Sequence, residues 1–248
     1  MTETTGPLAP TVDVRRADDR FKTRLHWLDS KHSFSFSRHY DPLNTHHGLL
    51  LVNNDDIVEP GKGFDTHPHR DMEIVTWVLQ GELAHRDSAG NHGVVYPGLA
   101  QRMSAGSGIL HSEKNHSFTE PVHFVQMWVI PDETGLMPGY QQHEIDDNAL
   151  SGGLVTVASG IPTRDAPITL HNRNAALHVA RLRPGDSVVL PAAPYLHLFV
   201  AKGRLGLEGA GDLDEGDAVR FTDTDGRRLE AAADSEVLVW EMQAKLGD

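Results

Sequence analysis

The chain has 248 residues, with 35 Asp and Glu against 22 Lys and Arg, a formal net charge of −13, and no cysteine. Its length suits two compact domains of about 120 residues each, and the acidic balance, with no basic run longer than two residues, opposes direct nucleic-acid binding. Without cysteine there are no disulfides and no thiolate-held metals, so any redox chemistry falls to a metal bound by other side chains.

The first residues, Met1-Thr-Glu-Thr-Thr-Gly-Pro7, lack the basic and apolar regions of a signal peptide. No apolar run approaches the roughly 20 residues of a membrane span. A cytoplasmic protein with no membrane partner is expected, opening on a flexible tail to about Pro10. Residues 16–28 have room for a helical turn, and Phe34-Ser-Phe36 alternates like a strand. Beyond them come short runs rich in Val, Ile, Leu, Phe and Trp: residues 73–79, 122–130, 177–182, 195–200 and 236–241. Turn chemistry separates them, as in Asp87-Ser-Ala-Gly-Asn91, Tyr96-Pro-Gly98, Arg183-Pro-Gly-Asp186 and Asp214-Glu-Gly-Asp217. Short strands at this spacing predict an all-β barrel or sandwich.

A weak internal repeat predicts two barrels in tandem. Val78-Leu-Gln-Gly-Glu-Leu83 resembles Val200-Ala-Lys-Gly-Arg-Leu205 at an offset of 122, and Tyr96-Pro-Gly98 matches Asp214-Glu-Gly216 at an offset of 118. The linker falls near residues 131–147, where Pro131, Gly135, Pro138 and Gly139 precede an acidic run. The expected domains are residues 11–135 and 145–248.

Chemistry concentrates in Thr66-His67-Pro68-His69-Arg70 and Leu110-His111-Ser112-Glu113. With 16 His in 248 residues, one His-x-His arises about once by chance, so the first pair alone carries little. Two such pairs in neighbouring elements carry much more. On a strand, positions i and i+2 share a face, so two adjacent strands bring three imidazoles and a carboxylate to one point. Six-coordination there leaves two open positions, which favours Fe(II) over a closed structural zinc. Glu113, as a ligand, is also placed to take a proton from a substrate hydroxyl. Pro68, lacking an N–H, belongs on an edge or at a bulge. Glu73 shares the parity of His69 and is expected to orient a ligating imidazole, with direct ligation or pairing to an Arg as the alternatives. Trp77 is a candidate for the pocket lining, though such a residue is more often core. Counted from the repeated glycines, the second half carries Val189, Pro191, Tyr195, Leu229 and Ala231 where the first has His67, His69, Glu73, His111 and Glu113. None of these ligates a metal, so one ion per chain is expected, and His197 is expected to pack or hydrogen-bond without metal.

The stretch Phe64-Asp-Thr-His67-Pro-His69-Arg-Asp-Met-Glu73, with Gly81-Glu-Leu83, Asp87-Ser-Ala-Gly90 and Met103-Ser-Ala-Gly-Ser-Gly-Ile-Leu-His111-Ser-Glu113, resembles the pirin family of bicupins. His32-Ser-Phe-Ser-Phe36 and Tyr40-Asp-Pro42 resemble that family's opening segment, and the likeness covers residues 14–130 well. The compact second half is similar to that of the shorter bacterial members. The resemblance implies a divalent metal on His67, His69, His111 and Glu113, with Glu73 outside the ligand set. It also implies a flavonol (quercetin) 2,3-dioxygenase activity in some members and regulatory protein binding in others.

Three readings follow. The first is a dioxygenase that cleaves flavonol-type substrates with dioxygen. Its ion is Fe(II) in preference to Cu, Ni, Mn or Zn, and Glu113 is the base that makes the metal-bound enolate. The second is a metal- or redox-sensing regulator with a protein partner, and the third a metal that merely clips strands together.

Overall fold

Period-two alternation sorts the side chains of each strand onto two faces. In the strand Val122–Val129, Val122 and Phe124 enter the interior of one barrel, and Gln126 and Trp128 line a cavity in it. Val125, Met127 and Val129 turn the other way, into a separate apolar core. A computed structural model describes residues 10–248, so the tail expected before Pro10 lies outside the described residues.

The strands form two barrels of one build. In the first, a seven-stranded sheet runs in the order Gly139–Glu144, Leu99–Ser104, Glu73–Gln80, Val122–Val129, Leu50–Val58, Leu28–His32, Phe21–Arg24. A four-stranded sheet faces it, ordered Gly63–His69, Ile109–Asn115, Leu83–Asp87, His92–Val95. The second barrel repeats this place by place. Its larger sheet runs Thr11–Arg15, Ala218–Thr224, Ala193–Lys202, Ser235–Met242, Ala175–Leu182, Val155–Ser159, Ile168–Thr169. Its smaller sheet runs Ser187–Val189, Arg228–Ala231, Arg204–Leu207, Gly211–Asp214. The repeated glycines explain the offset seen in the sequence. Gly81 and Gly203 close equivalent hairpins at φ 78° and 82°. A Cβ there would stand 2.7 Å from the Pro121 carbonyl oxygen and 2.2 Å from that of Asp234, so no other residue fits either place.

Strands at the two ends of the first half complete the edges of both large sheets. Thr11–Arg15 pairs antiparallel with Ala218–Thr224 in the second barrel. It is pinned by Asp217, whose carboxylate accepts from Arg16 Nη1 at 2.7 Å and from the Ala17 amide at 2.8 Å. Gly139–Glu144, inside the expected linker, pairs with Leu99–Ser104 in the first barrel. Each of these strands covers an edge that would otherwise leave unpaired backbone groups. Of two further expectations, one holds and one gives way. Residues 16–28 hold only the 3-10 turn Ala17–Asp19 before the strand Phe21–Arg24. Phe34-Ser-Phe36 is not a strand: Phe36 makes a lone bridge to His39, and Phe34 is buried under the Arg220 guanidinium, 4.2 Å from its ring.

The largest apolar core lies between the barrels, where Trp77, Val125 and Met127 meet Leu177, Phe199 and Trp240. An apolar interface of this kind holds the halves as one body. Trp77 is therefore core and not pocket lining, and its indole donates to Glu236 Oε1 at 2.5 Å. The second barrel's interior is filled by side chains such as Leu196, Leu198, Val219, Phe221, Leu229 and Val237. The first barrel is apolar only at its ends, with Leu83, Val122 and Phe124 in one group and Ile74, Met103 and Ile109 in another. Among the described residues, no helix is long and apolar enough to cross a membrane.

Candidate metal centre

The edge strand Gly63–His69 carries Pro68 where its neighbour on one side alone needs ladder donors. Its His67 lies directly opposite His111 on Ile109–Asn115, and His69 opposite Ile109. The register then slips by one between His111 and Glu113, so Glu113 pairs with Phe64 on this side and with His85 on the other. A bulge of this kind re-aims side chains beside a site.

The imidazoles of His67, His69 and His111 converge. Their ring centroids lie 4.4–4.8 Å apart, and His67 Nε2 is 3.0 Å from His111 Nε2. The His67 Nδ1–H donates to the Asp65 carbonyl oxygen at 2.7 Å, which leaves Nε2 with its lone pair towards the centre. His69 Nε2 is buried without a partner. Burial lowers the His69 imidazole to about 4, with His111 and His67 adding to the effect. Burial, followed by His67 and His85, lowers His111 to about 3. Both are therefore neutral near pH 7, the form that ligates a metal.

Glu113 is 2% exposed, and its Oε2 accepts from Gln126 Nε2 at 2.7 Å. Gln126 is in turn fixed by Trp128, whose indole donates to Gln126 Oε1 at 3.1 Å. Three of the four sequence-predicted residues, His67, His69 and His111, form one triad, while Glu113 stands in a second with His111 and the unpredicted His85, the ligand atoms of each triad lying within 4.8 Å of one another. His111 is common to both.

His85 was not legible as a site residue. It is buried, stacks on Tyr140 at 4.9 Å between centroids, and its Nε2 lies 3.2 Å from Asp87 Oδ2. Gln126 and Trp128 were equally missed. Their signal was a polar residue interrupting the barrel-facing positions of residues 122–130.

Glu73 corrects the sequence reading. Between it and His69 the chain turns through Asp71 at φ 48°, so strand parity does not carry across. Glu73 faces the second barrel. It accepts from the His171 amide at 3.1 Å, with His171 Nδ1 at 3.3 Å, and stands 3.8 Å from Arg102 Nε. It binds an imidazole and an arginine, but not an imidazole of the centre. His197 is fully buried beside Phe34, with neither ring nitrogen hydrogen-bonded.

The centre opens into a cavity of about 500 Å³. His67, His69 and Glu113 lie on one wall, and Trp27, Phe36, Phe64 and Trp128 supply aromatic surface. The remaining wall is polar, with Ser30, His32, Asn54 and Asp56. Burial raises the Asp56 carboxyl to about 7; a hydrogen bond from Ser30 opposes the rise, while the Asp55 and Glu113 charges add to it.

Two tandem barrels with this strand order define a bicupin. Residues 14–129 match the pirin family and residues 156–242 a quercetinase C-terminal cupin domain. The chain belongs to the pirin family. It is 38% identical to a protein of Escherichia coli named quercetin 2,3-dioxygenase, over 93% of this chain and 98% of that one. A Mycobacterium tuberculosis protein that bears the same name provisionally is 71% identical, over 97% of this chain and 99% of its own. The crystal structure of YhhW from Escherichia coli superposes with a TM-score of 0.87 at 37% identity, covering 94% of this chain and 98% of that one. A second structure of that bacterial pirin, in complex with nickel(II), gives 0.86 at 36% identity over 94% and 100%.

Proposed function

We propose that His67, His69, His111 and Glu113 hold one divalent metal ion, and that the protein is a metal-dependent dioxygenase of flavonol-type substrates such as quercetin. The observation that carries this is the convergence of the His67, His69 and His111 imidazoles, the first two of them on the wall of an aromatic-lined cavity. The donor set fits a metal. Two metal–nitrogen bonds of about 2.1 Å at a right angle place their nitrogens about 3.0 Å apart, and His67 and His111 present their Nε2 atoms at 3.0 Å. The buried, unpaired His69 Nε2 finds its partner in the same ion.

A bound ion of this kind supplies Lewis acidity and a place for dioxygen. Fe(II) suits that chemistry best, while a related bacterial pirin is known in complex with nickel(II). The chain's own residues do the rest. Glu113, oriented through Gln126 by Trp128, takes the proton of the substrate's 3-hydroxyl as that oxygen reaches the centre. Trp27, Phe36, Phe64 and Trp128 hold the flat ring system and exclude water. His85 behind the centre, steadied by Asp87, limits how His111 and Glu113 can turn. A purely regulatory reading expects a centre closed to small molecules, and the cavity favours catalysis over it. The test is oxygen uptake and quercetin depletion by metal-free protein reloaded with Fe(II), Ni(II), Cu(II), Mn(II) or Zn(II). Absence of turnover with every ion would overturn the proposal.

A further inference from the structure

The polar wall of the cavity is not accounted for by the metal. Ser30 and Asp56 are directly paired across two strands, and His32 and Asn54 form the next rung. Asn54 is in turn opposite Gln126, which holds Glu113, and Asp56 is opposite Phe124. All four side chains face the interior of the first barrel, where packing alone calls for apolar groups. In the second barrel, the strand in the same place, Ala175–Leu182, gives Ala180 and Leu182 to an apolar core.

His32 and Asn54 satisfy one another, with His32 Nδ1 2.8 Å from Asn54 Oδ1. Asp56 is different. It is 3% exposed, Ser30 is its hydrogen-bonding neighbour, and its Oδ1 has no partner among the described residues. A buried carboxyl oxygen left unpaired is costly and calls for an explanation. It lines the same cavity as Glu113 but belongs to neither metal-ligand triad.

We infer that Asp56 is a specificity-determining residue: its carboxyl group, on the cavity wall, accepts a hydrogen bond from a second hydroxyl of the substrate, one that does not meet the metal. The substrate class is thereby narrowed to planar aromatic compounds carrying at least one phenolic hydroxyl beyond the group that reaches the centre. The aromatic side chains hold the ring plane and Asp56 sets which hydroxylation pattern seats well. A carboxyl keeps an acceptor oxygen for such a bond in either protonation state. Removing one partner of a buried hydrogen bond typically costs about 10–100-fold in binding.

The choice of probes rests on the dioxygenase reading, so the experiment reads binding as well as turnover. Affinities of the metal-loaded protein for quercetin and for 3-hydroxyflavone, which keeps only the 3-hydroxyl, are measured by calorimetry without oxygen, alongside kcat/KM in air. Wild type should prefer quercetin by about 10–100-fold, and Asp56→Ala should bring that ratio close to one. Asp56→Asn, which keeps an acceptor oxygen and the shape, should retain part of the preference. Metal content and melting temperature identify any variant that has lost its fold, and Ser30→Ala, which frees Asp56 to move, should then show a reduced ratio in place of Asp56→Ala. A preference unchanged in Asp56→Ala overturns the inference, as does a wild type with no preference. Binding discrimination that depends on Asp56 in a protein with no turnover would sustain the inference while sinking the dioxygenase reading.

Discussion

Glu113→Gln separates metal ligation from proton transfer. The carboxylate is 2% exposed and bonded at 2.7 Å to Gln126, so the amide fits the same space. A hydrogen bond to a charged group contributes about 1.5–3 kcal/mol and a neutral one about 0.5–1.5. Relief of a buried charge offsets that loss in the metal-free protein, so its unfolding free energy should change by about 1 kcal/mol or less. Three imidazoles remain to hold the ion. Turnover should nonetheless fall by about 10²–10⁴, or about 2.7–5.5 kcal/mol in the barrier, because an amide takes no proton. The assay is oxygen uptake with quercetin at saturating Fe(II), with elemental analysis and thermal melts on the same samples. Full activity with metal bound would refute Glu113 as the base. A variant unable to hold Fe(II) even at saturation would refute the claim that the imidazoles suffice.

Three further outcomes are expected. His67→Ala or His111→Ala should lose metal and activity together, and wild type should carry one ion per chain by elemental analysis; two tightly held ions would mean that the second barrel also binds. Glu73→Gln should leave metal affinity unchanged but lower stability by about 1–3 kcal/mol, since Arg102 and His171 lose a buried charged partner; a tenfold weaker metal site would return Glu73 to the centre. His197 is held well below its ordinary pKa by burial, with Arg220 and His47 adding to it. Below about pH 6.5 the unfolded chain therefore binds a proton that the folded one does not, and stability falls with pH. His197→Leu, which removes two unpaired buried nitrogens, should flatten that decline in denaturant unfolding of metal-free protein between pH 7.5 and 5 and leave metal content unchanged; an unaltered slope would show that His197 plays no such part.

The sequence alone carried whatever depends on neighbouring residues. The i, i+2 spacing put His67 with His69, and His111 with Glu113, because strand parity is a local property. Gly81 and Gly203 marked the duplication because a hairpin at positive φ admits little else. The apolar residues at Leu229 and Ala231 matched a second barrel whose interior is filled. Contacts set by pairing across long separations were decided only by the tertiary structure. Nothing near Thr11–Arg15 indicates that it completes a sheet some 200 residues away, since an edge strand's partner is chosen by the edge left open. Glu73 was misplaced because the turn at Asp71 reset the parity that His69 had established, and the same reset sends Trp77 to the core between the barrels. His85, Gln126 and Asp56 lie on three separate strands, and only the pairing of distant strands brings His85 beside His111 and sets Gln126 and Asp56 in the cavity that His67 lines. Local chemistry thus gave the proposed ligands, while the surroundings that tune and restrict them came from packing between distant parts of the chain.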